Sequence, residues 1–162
     1  MSQTYTGYFE SPIGLLRVVC SEKALLSLDF VDQRGQKNTT SCALLEESLT
    51  QLKAYFDGNL KQFSLPVEPD GTPFQKGVWH ALQKVKFGAT TSYGAIAQSI
   101  GNPKSVRAVG AANGSNPIAI VIPCHRIIGS NGKLTGYGGG LWRKEWLLSH
   151  EQPQGQLSLD HN

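Results

Sequence analysis

Hydrophobic and polar positions divide the chain into two differently patterned halves. Residues 4–9, 14–20 and 24–31 alternate or run apolar, with turn signals at Ser11-Pro12 and Ser21-Glu22-Lys23. This spacing predicts a small antiparallel meander. The period then changes. Leu45, Leu49, Leu52 and Phe56 recur at helical intervals over 41–57, and Gly58 follows where a left-handed stop is needed. Pro66, Pro69 and Gly71 interrupt residues 59–72, which read as a linker and a domain boundary. Thr72-Pro73 opens a second helix, whose apolar face (Phe74, Gly77, Val78, Trp79, Leu82, Val85) continues towards Gly88. Thr91-Ser92 caps a short helix over 93–100. Gly101-Asn102-Pro103-Lys104 breaks it, and Ser105 caps another over 106–113. Two short helices across such a break predict a helix-turn-helix. Residues 117–122 are a nearly continuous apolar run bounded by prolines, the pattern of a buried strand. A glycine-rich loop over 129–140 leads to a closing helix over 141–151, and a polar tail occupies 152–162. The expected class is α+β. An antiparallel sheet with a helix occupies 1–72, linker included, and a mostly helical domain occupies 73–151.

Charge sharpens the division. The 162 residues carry a net charge of +3, unevenly spread. Residues 1–72 hold 6 Lys/Arg against 9 Asp/Glu, whereas 73–151 hold 9 against 2. No acid occurs between Asp70 and Glu145. A surface that long without an acid suits a polyanion such as nucleic acid better than general solubility. Three cysteines in no framework spacing, with no secretory leader or membrane-spanning run, place the chain in a reducing cytoplasm. No Cys-x-x-Cys or His-x-x-x-His pair suggests a metal site.

The candidate chemistry lies at the end of the apolar run, which delivers Cys124 directly into His125 and Arg126. Pro123 has no N–H to offer a ladder, so the strand should stop or bend there and hold Cys124 at the end of a rigid element. Neighbouring positive charge or a paired base raises a thiol's thiolate fraction. Taken alone, the run fits a small buried cysteine as well as a nucleophile. The helix over 106–113 is similarly open. Apart from Arg107 its side chains are small, which suits either tight helix packing through Gly110, Ala111 and Ala112 or close approach to a nucleic-acid groove.

The segment Pro-Cys-His-Arg-Ile-Ile (123–128) resembles the O6-alkylguanine-DNA alkyltransferases, specifically the compact bacterial type. Five further segments match in order: Thr-Pro-Phe-Gln (72–75), Thr-Ser-Tyr-Gly (91–94), Gly-Asn-Pro-Lys-Ser-Val-Arg-Ala-Val-Gly (101–110), Ser-Asn-Pro (115–117) and Arg-Lys-Glu-Trp-Leu-Leu-Ser-His-Glu (143–151). Ser-Pro-Ile-Gly (11–14) extends the likeness to the first domain. The resemblance implies a ribonuclease-H-like first domain and an irreversible, cofactor-free transfer of an alkyl group from O6 of guanine to Cys124. It implies that His125 draws the cysteine proton through a water and that Glu151 orients that histidine. Tyr93 donates to guanine N3, and the N–H of Gly138 donates to O6. The carbonyls of Cys124 and Ile127 accept from the exocyclic amine. Asn116 bridges the recognition helix to the cysteine strand, and Ala119 stands at the wall of the alkyl pocket.

The family flips its base from the duplex and docks its helix-turn-helix in the minor groove. That assigns Arg107 as the finger filling the vacated stack, with Ser92, Tyr93, Ser105, Ala108 and Ala111 along the DNA. The expected partner is double-stranded DNA carrying O6-alkylguanine, and by extension O4-methylthymine. The protein is expected to be a cytoplasmic monomer with no metal, membrane or obligatory protein partner. The competing reading is a non-catalytic protein that binds alkyl lesions. Relatives of that kind lack the acceptor cysteine, and Cys124 is present.

Overall fold

A computed structural model of the chain describes residues 3–35, 40–129 and 131–152. Three strands, β1 (Tyr5–Ser11), β2 (Gly14–Cys20) and β3 (Leu25–Val31), form an antiparallel sheet in the order β1-β2-β3. The meander expected from the alternating pattern is present, with Gly14 paired to Ser11 across the first turn. Helix α1 (Ala43–Phe56) turns Leu45, Ser48, Leu52, Tyr55 and Phe56 inward, where they join Leu16, Val18 and Leu28 in the core. Gly58, at φ 84, supplies the left-handed stop anticipated for this helix.

The free edge of β3 is covered by two segments that the sequence pattern assigned elsewhere. Part of the expected linker runs beside Leu25, with Leu25 donating to the Pro66 carbonyl and Glu68 donating to that of Leu25. The apolar run 117–122 lies beside Leu28 in the same way, with Leu28 donating to the Pro117 carbonyl and Ala119 to that of Leu28. Both pairings satisfy backbone groups that an uncovered edge would expose.

Residues 117–122 are therefore not the extended strand that was expected. After one bridge at Ile118 the chain turns. Ile120 stands at φ 72, Val121 donates to the Ala119 carbonyl at 2.7 Å and Ile122 to that of Ile118. A left-handed β-branched residue is unfavourable by about 1–3 kcal/mol and persists only where packing over-determines it. Ile118, Ile120 and Ile122 are all fully buried, which supplies that packing. The two compact units follow from this. Residues 1–72 join 116–122, and 73–115 join the remainder from 123 onward, so the expected break at 72/73 is crossed once by a returning segment.

The second unit contains α2 (Pro73–Leu82), β4 (Thr91–Ser92), α3 (Tyr93–Ser99), α4 (Val106–Gly114), a 3-10 turn (Cys124–Arg126), β5 (Ile127–Ile128) and α5 (Leu141–Glu151). Helix α2 ends six residues before Gly88, because the segment after Leu82 tightens into turns that present the Val85 carbonyl to Arg126. Trp79, fully buried, donates from its indole nitrogen to the Ala112 carbonyl and ties α2 to α4. Ser92 caps α3 as the sequence implied, accepting from the Ala95 N–H at 3.0 Å. Ser105 stands at the N-cap of α4 but makes no side-chain cap. Its ψ of 28 is not the extended conformation that a capping serine uses, and its hydroxyl donates to the Asn102 carbonyl instead. Among the described residues no helix is long and apolar enough to cross a membrane. The tail beyond Gln152 lies outside the described residues.

Candidate active site

The cysteine sits on a turn rather than a strand end. Pro123 leads into the 3-10 turn Cys124–Arg126, and all three of its side chains are buried. Successive side chains on a 3-10 turn diverge by about 120°. Neighbours in sequence therefore reach different partners. His125 contacts Glu151, Nε2 to Oε2, at 2.8 Å. Arg126 takes the same carboxylate from another side, Nε to Oε1 at 2.8 Å and NH2 to Oε2 at 3.0 Å, and its NH1 donates to the Val85 carbonyl at 2.6 Å. Arg126 was read from the sequence as an electropositive neighbour of the thiol. Its guanidinium is instead engaged by Glu151 and Val85.

This arrangement fixes protonation states. Burial alone would raise the Glu151 pKa, but His125 and Arg126 outweigh it and hold the carboxyl at about 2. Burial pushes His125 down, further than Glu151 pulls it up, with Arg126 and Lys144 adding to the fall. The two residues cannot both be read as half of a charged His–Glu pair. Arg126 already supplies the countercharge, so the consistent state is an ionised Glu151 beside a neutral His125. With Nε2–H donating to Glu151, the lone pair of His125 lies on Nδ1, which is buried and has no hydrogen-bond partner among the described residues. A neutral imidazole with one nitrogen anchored and the other free is a poised base.

Other elements close around the turn. Strand β5 leaves it and pairs in parallel with β4, Ile127 against Thr91. That pairing sets Tyr93, the next residue after β4, beside the exit of the cysteine turn. The Tyr93 hydroxyl bonds Thr135 Oγ1 in the glycine-rich loop, and its ring lies over Gly110 of α4. Gly88 stands at φ 86, where an added Cβ would lie 3.2 Å from the Glu151 carbonyl, so only glycine lets this segment pass the end of α5.

Two residues near the cysteine were not singled out from the sequence. Lys144 is fully buried on α5, donates to Thr135, and is brought down to about 8 by burial, which the Cys124 sulfur partly counters. Tyr137 has a buried hydroxyl without a hydrogen-bond partner, and burial raises its pKa well above 10. Asn113 of α4 donates to the Cys124 carbonyl at 3.3 Å. This ties α4 to the cysteine turn. Asn116, which follows α4 in the chain, donates to the Ile122 carbonyl and accepts from the Ile118 N–H, holding the run that leads to Cys124, and belongs with Ala119 to the first unit. The Cys124 carbonyl also accepts from Ile127, so both of its acceptor positions are filled. Gly138 is exposed, with open space where a side chain would stand.

On α4, Arg107, Ala108 and Ala111 are exposed together with Val106 and Gly114, while Val109, Ala112 and Asn113 face inward. The outer face of this second helix is thus one arginine among small side chains. Among the described residues no three His, Cys, Asp or Glu side chains gather in a way that could hold a metal ion.

Comparison with known proteins identifies the family. The family model for the 6-O-methylguanine DNA methyltransferase DNA-binding domain matches residues 73–153, and that for its ribonuclease-like domain matches residues 4–69. The chain belongs to the O6-methylguanine DNA methyltransferase family. Among similar methyltransferases, the methylated-DNA–protein-cysteine methyltransferase of Methanosarcina acetivorans is 48% identical over 154 residues, 91% of this chain and 97% of its own. The crystal structure of Mycobacterium tuberculosis O6-methylguanine methyltransferase matches with a TM-score of 0.83 at 42% identity, covering 97% of this chain and 99% of that one. A second structure from that organism, OGT in complex with DNA, matches at 0.81 and 44% identity, covering 93% and 97%.

Proposed function

We propose that this protein repairs alkylated DNA by moving the alkyl group from O6 of guanine, or O4 of thymine, onto Cys124, once per molecule. Membership of the methyltransferase family makes it a DNA-repair alkyltransferase. The observation that carries the finer reading is the buried chain Arg126–Glu151–His125 ending at the unpartnered Nδ1, one residue from the only cysteine in the basic half.

In this reading His125 Nδ1 takes the Cys124 proton through a relay water. The thiolate sulfur attacks the alkyl carbon, a carbon–sulfur bond forms and the carbon–O6 bond breaks. The departing electron pair spreads over the guanine ring, where donors offset it. Tyr93 supplies one donor at guanine N3, which requires its hydroxyl to turn from Thr135. The Gly138 N–H supplies another at O6. Lys144, held at Thr135 of the loop that carries Gly138 and bonds Tyr93, adds positive charge on the same side. The Ile127 carbonyl accepts from the exocyclic amine. The Cys124 carbonyl can do so only when Asn113 releases it. The product is a thioether that no second thiol displaces, so the protein acts once. Digestion of a treated duplex tests this directly: the loss of O6-methylguanine nucleoside should stop at one per protein molecule, and continued loss would contradict it.

The base flips out of the duplex, and Arg107 occupies the gap. Arg107→Ala is expected to slow repair of a paired lesion by about tenfold or more while changing transfer from a single strand by less than about threefold, because unstacking costs a few kcal/mol only where a stack exists. Single-turnover rates on the two substrates check this. Equal losses would assign Arg107 a general charge role. The pH profile follows from His125. Its pKa lies below 6.5, and the neutral ring is the base. The His125 contribution to the transfer rate should therefore be lost only below 6.5, as protonation removes the Nδ1 lone pair. A half-maximal rate at or above pH 6.5 would contradict a neutral buried base.

A further inference from the structure

The first unit holds two cysteines that take no part in this reaction. Cys20 closes β2 and is fully buried, while Cys42 precedes α1 and is half-buried. They are 22 positions apart in sequence, yet their sulfurs lie 3.9 Å from one another, and both are free thiols. The bulge between Val19 and Cys20 re-aims the last residue of the strand, and the N-cap position of Cys42 places its side chain at the start of the helix. A disulfide needs the sulfurs to close from 3.9 Å to ~2.05 Å, a displacement within one side-chain rotation of a half-exposed N-cap residue. The surroundings do not suit a metal instead. The nearby Glu22 carboxylate accepts from the Tyr5 hydroxyl at 3.1 Å, and no third ligand joins the two sulfurs among the described residues.

We propose that Cys20 and Cys42 form a dithiol that reacts with hydroperoxides and closes to an intramolecular disulfide. Cys42 reacts first. It is the accessible partner, half-buried at the N-cap of α1, whereas Cys20 is fully buried. Burial and the neighbouring Cys42 push Cys20 up to about 12, so Cys20 stays protonated until its partner is oxidised. In the first step the Cys42 sulfur attacks a peroxide oxygen. The O–O bond breaks, Cys42 becomes a sulfenic acid, and water or an alcohol leaves with the thiol proton. In the second, the Cys20 sulfur attacks that of Cys42. The S–S bond forms, the S–O bond breaks, and the hydroxyl leaves as water with the Cys20 proton. Both thiols are oxidised by one electron each, and the peroxide accepts two. The product closes residues 21–41 into a loop that ties the start of α1 to the end of β2.

The experiment uses the full chain carrying Cys124→Ser, so that the acceptor thiol consumes no oxidant. After exposure to hydrogen peroxide in excess and alkylation of the remaining thiols, the protein should be lighter by two hydrogens. Non-reducing digestion should give one linked peptide pair holding Cys20 and Cys42. Its melting temperature should rise by about 5 °C and return on adding dithiothreitol. Cys42→Ser in the same background should lose the linked pair and the rise. Cys42→Ser in the otherwise native chain should keep full alkyl transfer, which separates this chemistry from repair. Accumulation of Cys42 sulfinic acid with Cys20 still open to alkylation, or a disulfide between two molecules through Cys42, would overturn the proposal.

Discussion

Replacing Cys124 with alanine is expected to abolish alkyl transfer completely while leaving affinity for a methylated duplex within about threefold. Cys124 is a small side chain that is 6% exposed, and losing its sulfur opens a cavity costing only about 1 kcal/mol. The outer face of α4, with Arg107, Ala108 and Ala111, does not include it. No other thiol can replace it. Cys20 is held protonated by burial, and both remaining cysteines belong to the first unit. Lesion loss and gel-shift affinity, measured side by side, check both halves. Transfer surviving in the variant would place the acceptor on another residue.

Glu151→Gln should have the second largest effect, and it should appear in stability as well as rate. The substitution leaves Arg126 charged, buried and without its countercharge, a change worth about 3–5 kcal/mol of folding stability. It also withdraws the anion that anchors His125, and transfer should slow by about 10²–10³-fold. The sign of the pH dependence separates this from a packing defect. The Glu151 carboxyl is lowered from 4.5 to about 2, so its stabilisation is fully present above 4.5 and is lost as pH falls towards 2. The glutamine variant has no such contribution to lose. The stability gap between the two proteins, read by urea denaturation, should therefore narrow as pH falls from 4.5 towards 2. A gap under about 1 kcal/mol at neutral pH, or one that does not change with acidification, would show that Arg126 is compensated by another group.

The sequence made some of this legible, for identifiable reasons. The meander, α1 with its stop at Gly58 and the two helices 93–100 and 106–113 were readable because local pattern and turn chemistry agree with the fold there. The run 117–122 was misread because its apolar pattern reports burial and not backbone conformation, and nothing in Ile-Ala-Ile announces a left-handed Ile120. The buried face of α5 was hidden for a different reason. Lys144, Leu147 and Glu151 share one face, yet two of the three are charged, so a hydropathy pattern assigns them to solvent. Cys124, His125 and Glu151 were identified through the family resemblance, and the structure joins His125 to Glu151 as that resemblance implied. It could not convey that Arg126 is spent on Glu151, or that Asn113 also reaches the cysteine turn. Both depend on which way side chains leave a 3-10 turn and a helix end.

The central claim is that Cys124 accepts the alkyl group and is consumed. Its most direct test is the intact mass of the native protein after incubation with a duplex containing a single O6-methylguanine in excess, followed by peptide mapping. The account predicts a gain of one methylene per protein, carried entirely by the peptide holding Cys124 and reached as lesion loss stops. An unmodified protein alongside repaired DNA, or a methyl group on any other residue, would contradict it.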